Sequence, residues 1–211
     1  MGPLAEKVIE RVPSGIFTDT TVRRLIQGTP HSRYGLVKRA LRSGEIIHLR
    51  RGLYVLSKKY QRRPVNLYEI AQRIYGPSYI SFASALSYHG WIPEAVYTVT
   101  SACAKRSKDV KTPLGLFSYT RIPSTKFYAG VDRISSSEGI FLMADPWRAL
   151  MDYIYVHKKN WNSLKPVVES LRVDPGHLRK VDFSLLKALR ESTHSRCVKQ
   201  FIDSVRKELR G

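Results

Sequence analysis

SRYGLVKRALRSGEIIHLRRGLYVL, residues 32–56, changes its hydrophobic period halfway along. Through Arg42 the apolar residues recur at helical spacing. Val37, Ala40 and Leu41 stand at i, i+3 and i+4 and so share one face that seeks a core. Ser43-Gly44 ends that run, with Gly44 suited to the left-handed position just past a helix. Beyond it, Ile46, Ile47 and Leu49, then Leu53 to Leu56, read as two short strands around Arg50-Arg51-Gly52. A basic helix followed by a hairpin with a basic tip is the expectation.

Upstream, Leu4, Ala5, Val8 and Ile9 have helical spacing and stop at Val12-Pro13-Ser14-Gly15. Thr18-Asp19 caps a short helix that carries Val22, Leu25 and Ile26 inward, and Gly28-Thr29-Pro30 closes it. The order helix, helix, turn, helix, hairpin is that of a winged helix-turn-helix. Downstream, the pattern breaks at Tyr60-Gln61-Arg62-Arg63-Pro64, which predicts a boundary between residues 1–62 and 63–211. The second part reads as a larger mixed α/β domain, making the chain α+β. Helices are expected around Leu67–Ile74 and Ser81–Leu86. Strands are expected between Val96 and Phe127, with Tyr97–Thr100 and Gly115–Tyr119 the clearest, and at Ile140–Met143. Asp145-Pro146 opens another helix, and three more follow, separated near Asp174-Pro175-Gly176 and Ser192-Thr193.

Thirty-six Lys and Arg stand against seventeen Asp and Glu, a net charge of +19, which draws polyanions such as nucleic acid. Residues 1–62 hold 13 basic and 4 acidic side chains, residues 63–156 hold 10 and 7, and residues 157–211 hold 13 and 6. The excess sits at the two ends. No apolar run approaches the roughly 18 residues a membrane span needs, and the start has no signal-peptide core, so a cytoplasmic protein is expected. Cys103 and Cys197 form no CxxC, which leaves a disulfide scaffold or a cysteine zinc site without support.

Opposite Val37 and Leu41, the first helix of the quoted stretch carries Tyr34, Lys38 and Arg42 at i, i+4 and i+8, flanked by Arg33 and Arg39. A helix fits the DNA major groove, where such side chains reach base edges and phosphates. Arg50 and Arg51 at the hairpin tip, with His48 before them, suit phosphate or the minor groove. Those eight residues are the candidate DNA-binding set. The competing reading is an ordinary solvated face or a protein-docking module.

Other constellations carry less chemistry. Asp145 and Asp152 lie on one helix, and Asp145 serves as its cap. Ser81, Ser84 and Ser87 near His89 lack a glycine-rich elbow and suit close helix packing. Ser135-Ser136-Ser137 reads as a loop. Lys105 and Arg106 after Cys103 would lower its pKa, although a plain surface or half-buried thiol is the simpler reading. No catalytic residue, metal ligand or cofactor is expected, so the chain reads as a non-enzyme. Lys180, Lys187, Arg190, Arg196, Lys199, Arg206 and Lys207 lie off the core stripes of the last helices. They either coat a solvated exterior or extend an interface.

Gly15-Ile16-Phe17-Thr18 and Leu49-Arg50-Arg51-Gly52-Leu53-Tyr54-Val55 resemble the AbiEi antitoxin family of type IV toxin–antitoxin systems. The run from Ser78-Tyr79-Ile80-Ser81 to His89-Gly90-Trp91-Ile92-Pro93 is similar to the family's signature after the winged helix. Thr98-Val99-Thr100, Thr112-Pro113-Leu114-Gly115 and Ala144-Asp145-Pro146-Trp147-Arg148-Ala149-Leu150-Met151-Asp152 continue the likeness in order. The resemblance covers most of residues 15–155. It implies a repressor of its own abortive-infection operon in phage defence, with double-stranded operator DNA as partner and residues 63–211 as the antitoxin domain. It also implies an antagonist, a nucleotidyltransferase-like toxin, countered without need of a stable complex. An RNA-binding accessory protein and a nucleic-acid enzyme with an unrecognised site are the rival readings.

Overall fold

Thr29 and Pro30 open the basic helix rather than merely closing the one before it. The Thr29 hydroxyl accepts from the Ser32 N–H at 3.2 Å, and Pro30 occupies the first turn, where a missing N–H costs nothing. The helix therefore begins two residues before the spacing predicts. In the computed structural model, which describes residues 1–137 and 139–209, the N-terminal elements are α1 (Pro3–Arg11), β1 (Ile16–Thr18), α2 (Asp19–Leu25), α3 (Pro30–Arg42), β2 (Ile46–Arg50) and β3 (Leu53–Leu56). Thr18 caps α2 through a reciprocal box with Thr21. The Arg51-Gly52 turn joins β2 to β3, with Gly52 at φ +71°, a conformation glycine adopts without strain.

The three strands form one antiparallel sheet in the order β1-β3-β2. The sequence pattern misses β1, because three residues are too few to show alternation, and pairing of Ile16 with Val55 and Phe17 with Tyr54 decides it. Alternation then sends side chains to two separate cores. Phe17, Ile46, Tyr54 and Leu56 pack with Leu4, Val8, Val22, Val37 and Ala40 from the three helices. Ile16, Leu49, Leu53 and Val55 join the large core of the rest of the chain.

That second part continues with α4 (Leu67–Ile74), β4 (Ser78–Ile80), α5 (Phe82–Tyr88), β5 (Val99–Cys103), β6 (Lys108–Thr112), β7 (Gly115–Arg121), β8 (Val131–Ser136), β9 (Gly139–Ala144) and α6 (Pro146–Val156). Four helices follow among the described residues: α7 (Lys165–Leu171), α8 (Pro175–Leu178), α9 (Phe183–Ser192) and α10 (Arg196–Glu208). The chain is thus mixed α+β. Its larger sheet is six-stranded, ordered β6-β7-β5-β4-β9-β8 with both parallel and antiparallel pairs.

Several expectations change here. Tyr97 and Thr98 precede β5 instead of starting it, and Tyr97 is 91% exposed. Ser135 and Ser136 are not loop residues: they pair with Ile140 and Gly139 at the end of β8. That strand lies at the sheet edge, so its side chains are largely polar and its sequence shows little apolar alternation. Asp174-Pro175 starts the one-turn α8, with the Asp174 carboxylate accepting from Gly176, instead of simply parting two helices. Among the described residues no helix is long and apolar enough to cross a membrane.

Candidate nucleic-acid interface

On α3, burial of Val37 and Ala40 turns the opposite face outward. Tyr34, Lys38, Arg39 and Arg42 are all exposed there, Tyr34 by 66%. None of the three cations among them forms an ion pair among the described residues. A cleft of about 580 Å³ separates this helix from the β2–β3 hairpin. Its floor is Val22, Val37 and Tyr54. Around it stand Asp19, Arg23, Arg33, Tyr34, His48 and Arg51.

The fold thus brings Arg33, Tyr34, His48 and Arg51 to one cleft, while Lys38, Arg39 and Arg42 continue along the outer face of α3. Two of the expected residues are partly engaged elsewhere. The Arg33 guanidinium donates to the Gly28 carbonyl and is half-buried, so it closes the turn before α3. Arg50 turns away from the cleft and donates through Nη2 to the Arg73 carbonyl at 3.3 Å, satisfying an end group of α4. Among the described residues Arg51 has no such tether. Neutralising Arg51 should therefore reduce the slope of log K against log salt for duplex binding by about 1, the value of one phosphate contact. Arg50→Gln should change it less, and equal effects of the two in a salt titration would contradict this division.

Sequence reasoning missed Asp19 and Arg23 in the cleft. Both are exposed on α2, four residues apart on the same side of the helix, a signal that is legible but short. His48 sits against Tyr54 with ring centroids 5.5 Å apart. Burial raises the Tyr54 hydroxyl above its ordinary pKa, and the negative charge of the neighbouring Asp19 carboxylate adds to the effect.

In the second part the candidate acids and serines hold the fold together. Asp152 is buried on α6: its Oδ2 accepts from the Tyr79 and Ser81 hydroxyls, each at 2.8 Å, and its Oδ1 from Arg148 Nε at 3.0 Å. Arg148 also donates to the Ala129 carbonyl and the Tyr79 hydroxyl. Desolvation pushes Tyr79 well above the usual phenol range. Asp145 accepts from the Trp147 N–H at 2.8 Å as the cap of α6, and burial raises its carboxyl. Ser84 bridges Thr98 and Thr100, Ser87 donates to Glu94, and His89 Nε2 lies 3.0 Å from the Ala144 carbonyl.

Cys103 is fully buried, not at the surface, and donates to the Lys105 carbonyl at 3.2 Å. Burial raises its thiol pKa, overturning the lowering expected from Lys105 and Arg106, whose side chains are exposed. Among the described residues no group of three or more His, Cys, Asp or Glu is placed to hold a metal ion. On the last helices, Arg190 is paired with Asp203 at 2.7 and 2.9 Å, whereas Lys187, Arg196 and Lys207 are exposed, as is Lys180 in the link between α8 and α9. No protein-family model matches this chain, and no curated protein matches it at significant similarity.

Proposed function

We propose that residues 1–62 are a winged helix-turn-helix and that the chain is a cytoplasmic, DNA-binding autorepressor with antitoxin activity of the AbiEi kind. In this reading α3 is the recognition helix and the β2–β3 hairpin the wing. Residues 63–211 carry the effect against a nucleotidyltransferase-like toxin, with no stable complex required. The protein acts by occupying operator DNA and by its folded surface, not by catalysis. The observation that carries the proposal is the exposed face of α3, where Tyr34, Lys38, Arg39 and Arg42 stand beside a cleft closed by Arg51. Cations left unpaired on one helix face, next to a basic turn, suit a phosphate backbone with base edges between its strands.

Lys38→Ala with Arg42→Ala should weaken binding to the chain's own promoter by about 30-fold or more, since each such contact is worth about 1–3 kcal/mol and the two together about 2–6 kcal/mol. Thermal stability should hold, because both side chains are exposed. Undiminished promoter affinity would remove α3 from the interface. A preference of the wild-type chain for structured RNA over duplex DNA would favour an RNA-binding accessory protein instead.

A further inference from the structure

Asp19 is the one carboxylate among the described residues that line the cleft, where Arg23, Arg33 and Arg51 otherwise set the sign of the field. A carboxylate beside a polyanion site repels the ligand, so its presence there calls for another role. The geometry supplies one. Asp19 follows the last ladder pair of β1, Thr18 with Leu53, and opens α2. Its backbone N–H donates to the Gly52 carbonyl at 3.2 Å, at the tip of the hairpin. Its side chain lies against the same glycine, so closely that a Cβ built on Gly52 would stand 2.9 Å from Oδ2. The Tyr54 hydroxyl, on β3 just past the tip, lies close enough to the same carboxylate to feel its charge.

We infer that Asp19 is a positioning residue, holding the hairpin tip against the start of α2 so that Arg51 and α3 present one preformed surface to DNA. The inference rests on the DNA-binding reading above and deepens it. A two-residue turn carrying a free arginine has many orientations, and ordering it at the moment of binding costs affinity. Asp19 removes that cost from two directions, through its main chain to the Gly52 carbonyl and through its side chain, which sits against Gly52 beside the Tyr54 hydroxyl. The Tyr54 ring is already fixed by Phe17, with centroids 5.6 Å apart, so its hydroxyl is held in place beside the carboxylate.

The test uses the full chain and two readouts. Tyr54→Phe removes only the hydroxyl and keeps the ring contacts. Asp19→Asn keeps the side-chain volume and removes the charge. Amide hydrogen exchange at Asp19 and residues 51–54 of the free protein should quicken about tenfold in each variant, and the double variant should be no worse than either single one. Binding of the Tyr54→Phe variant, which leaves the charge of the cleft unaltered, to the promoter duplex should weaken several-fold. Its salt slope should fall by about 1, as in Arg51→Gln, with no further fall when Tyr54→Phe and Arg51→Gln are combined. A merely structural role would lower the melting temperature and leave that slope alone. Unchanged exchange at the tip overturns the inference whatever the DNA result. Faster exchange with an unchanged slope overturns the role of the brace in DNA binding. A wild-type chain indifferent to the duplex overturns the DNA reading itself, and the exchange data still judge the brace.

Discussion

Asp152→Ala should destabilise the protein by about 3–5 kcal/mol, the usual cost of removing one partner from a buried ion pair. Three donors converge on that carboxylate from β4, from the start of α5 and from its own helix. Without it the Arg148 guanidinium remains buried without a counter-charge, and two hydroxyls lose their acceptor. For a chain of this length each kcal/mol shifts the melting temperature by about 2–4 °C, so a drop of roughly 6–20 °C is expected in a thermal melt. Ser81→Ala removes a single hydrogen bond to a charged group and should cost less, about 1.5–3 kcal/mol. A melt of Asp152→Ala within a degree or two of wild type would mean the pair contributes nothing to folding. Asp152→Asn answers a different question: a well-folded variant that has lost all of the proposed antitoxin activity would make the carboxylate chemical and the non-enzyme reading wrong.

Residues 1–62 cut from the rest of the chain should fail to fold as a monomer. Ile16, Leu49, Leu53 and Val55 face the large core, where they are all buried, and truncation would expose that whole face of the sheet. At about 1.5–3 kcal/mol for each fully buried side chain, the loss is about 6–12 kcal/mol. A unit of 62 residues commands roughly 3–9 kcal/mol of net stability, so the loss matches or exceeds it. The fragment should aggregate or show no cooperative melt, as read by size-exclusion chromatography and circular dichroism. A monomeric fragment with a sharp transition and full operator affinity would show that the first core suffices. The same geometry ties the hairpin to the second part through Arg50 and the Arg73 carbonyl, so even a folded fragment would lose one anchor of its tip.

Much of this protein is local, and what is local was legible in the sequence. Thr18 before α2 and Asp145-Pro146 before α6 announce helix starts, because capping depends on residues two or three positions away. The outward face of α3 follows from the spacing of Val37, Ala40 and Leu41, and the hairpin from the change of period after Gly44 and the turn at Gly52. Tertiary structure decided what depends on distant partners. The strands β1 and β4 are three residues each and exist because β3, β5 and β9 offer them hydrogen bonds. Arg50 and Arg51 are alike in sequence, yet one meets the end of α4 and the other the cleft. Asp152 is one more helical carboxylate until β4 and the start of α5 bring Tyr79 and Ser81 to it from 73 and 71 residues away. Periodicity says that a side chain is turned inward or outward; only the packed fold says against what, because a hydrogen bond or a buried charge is settled by the neighbour that arrives.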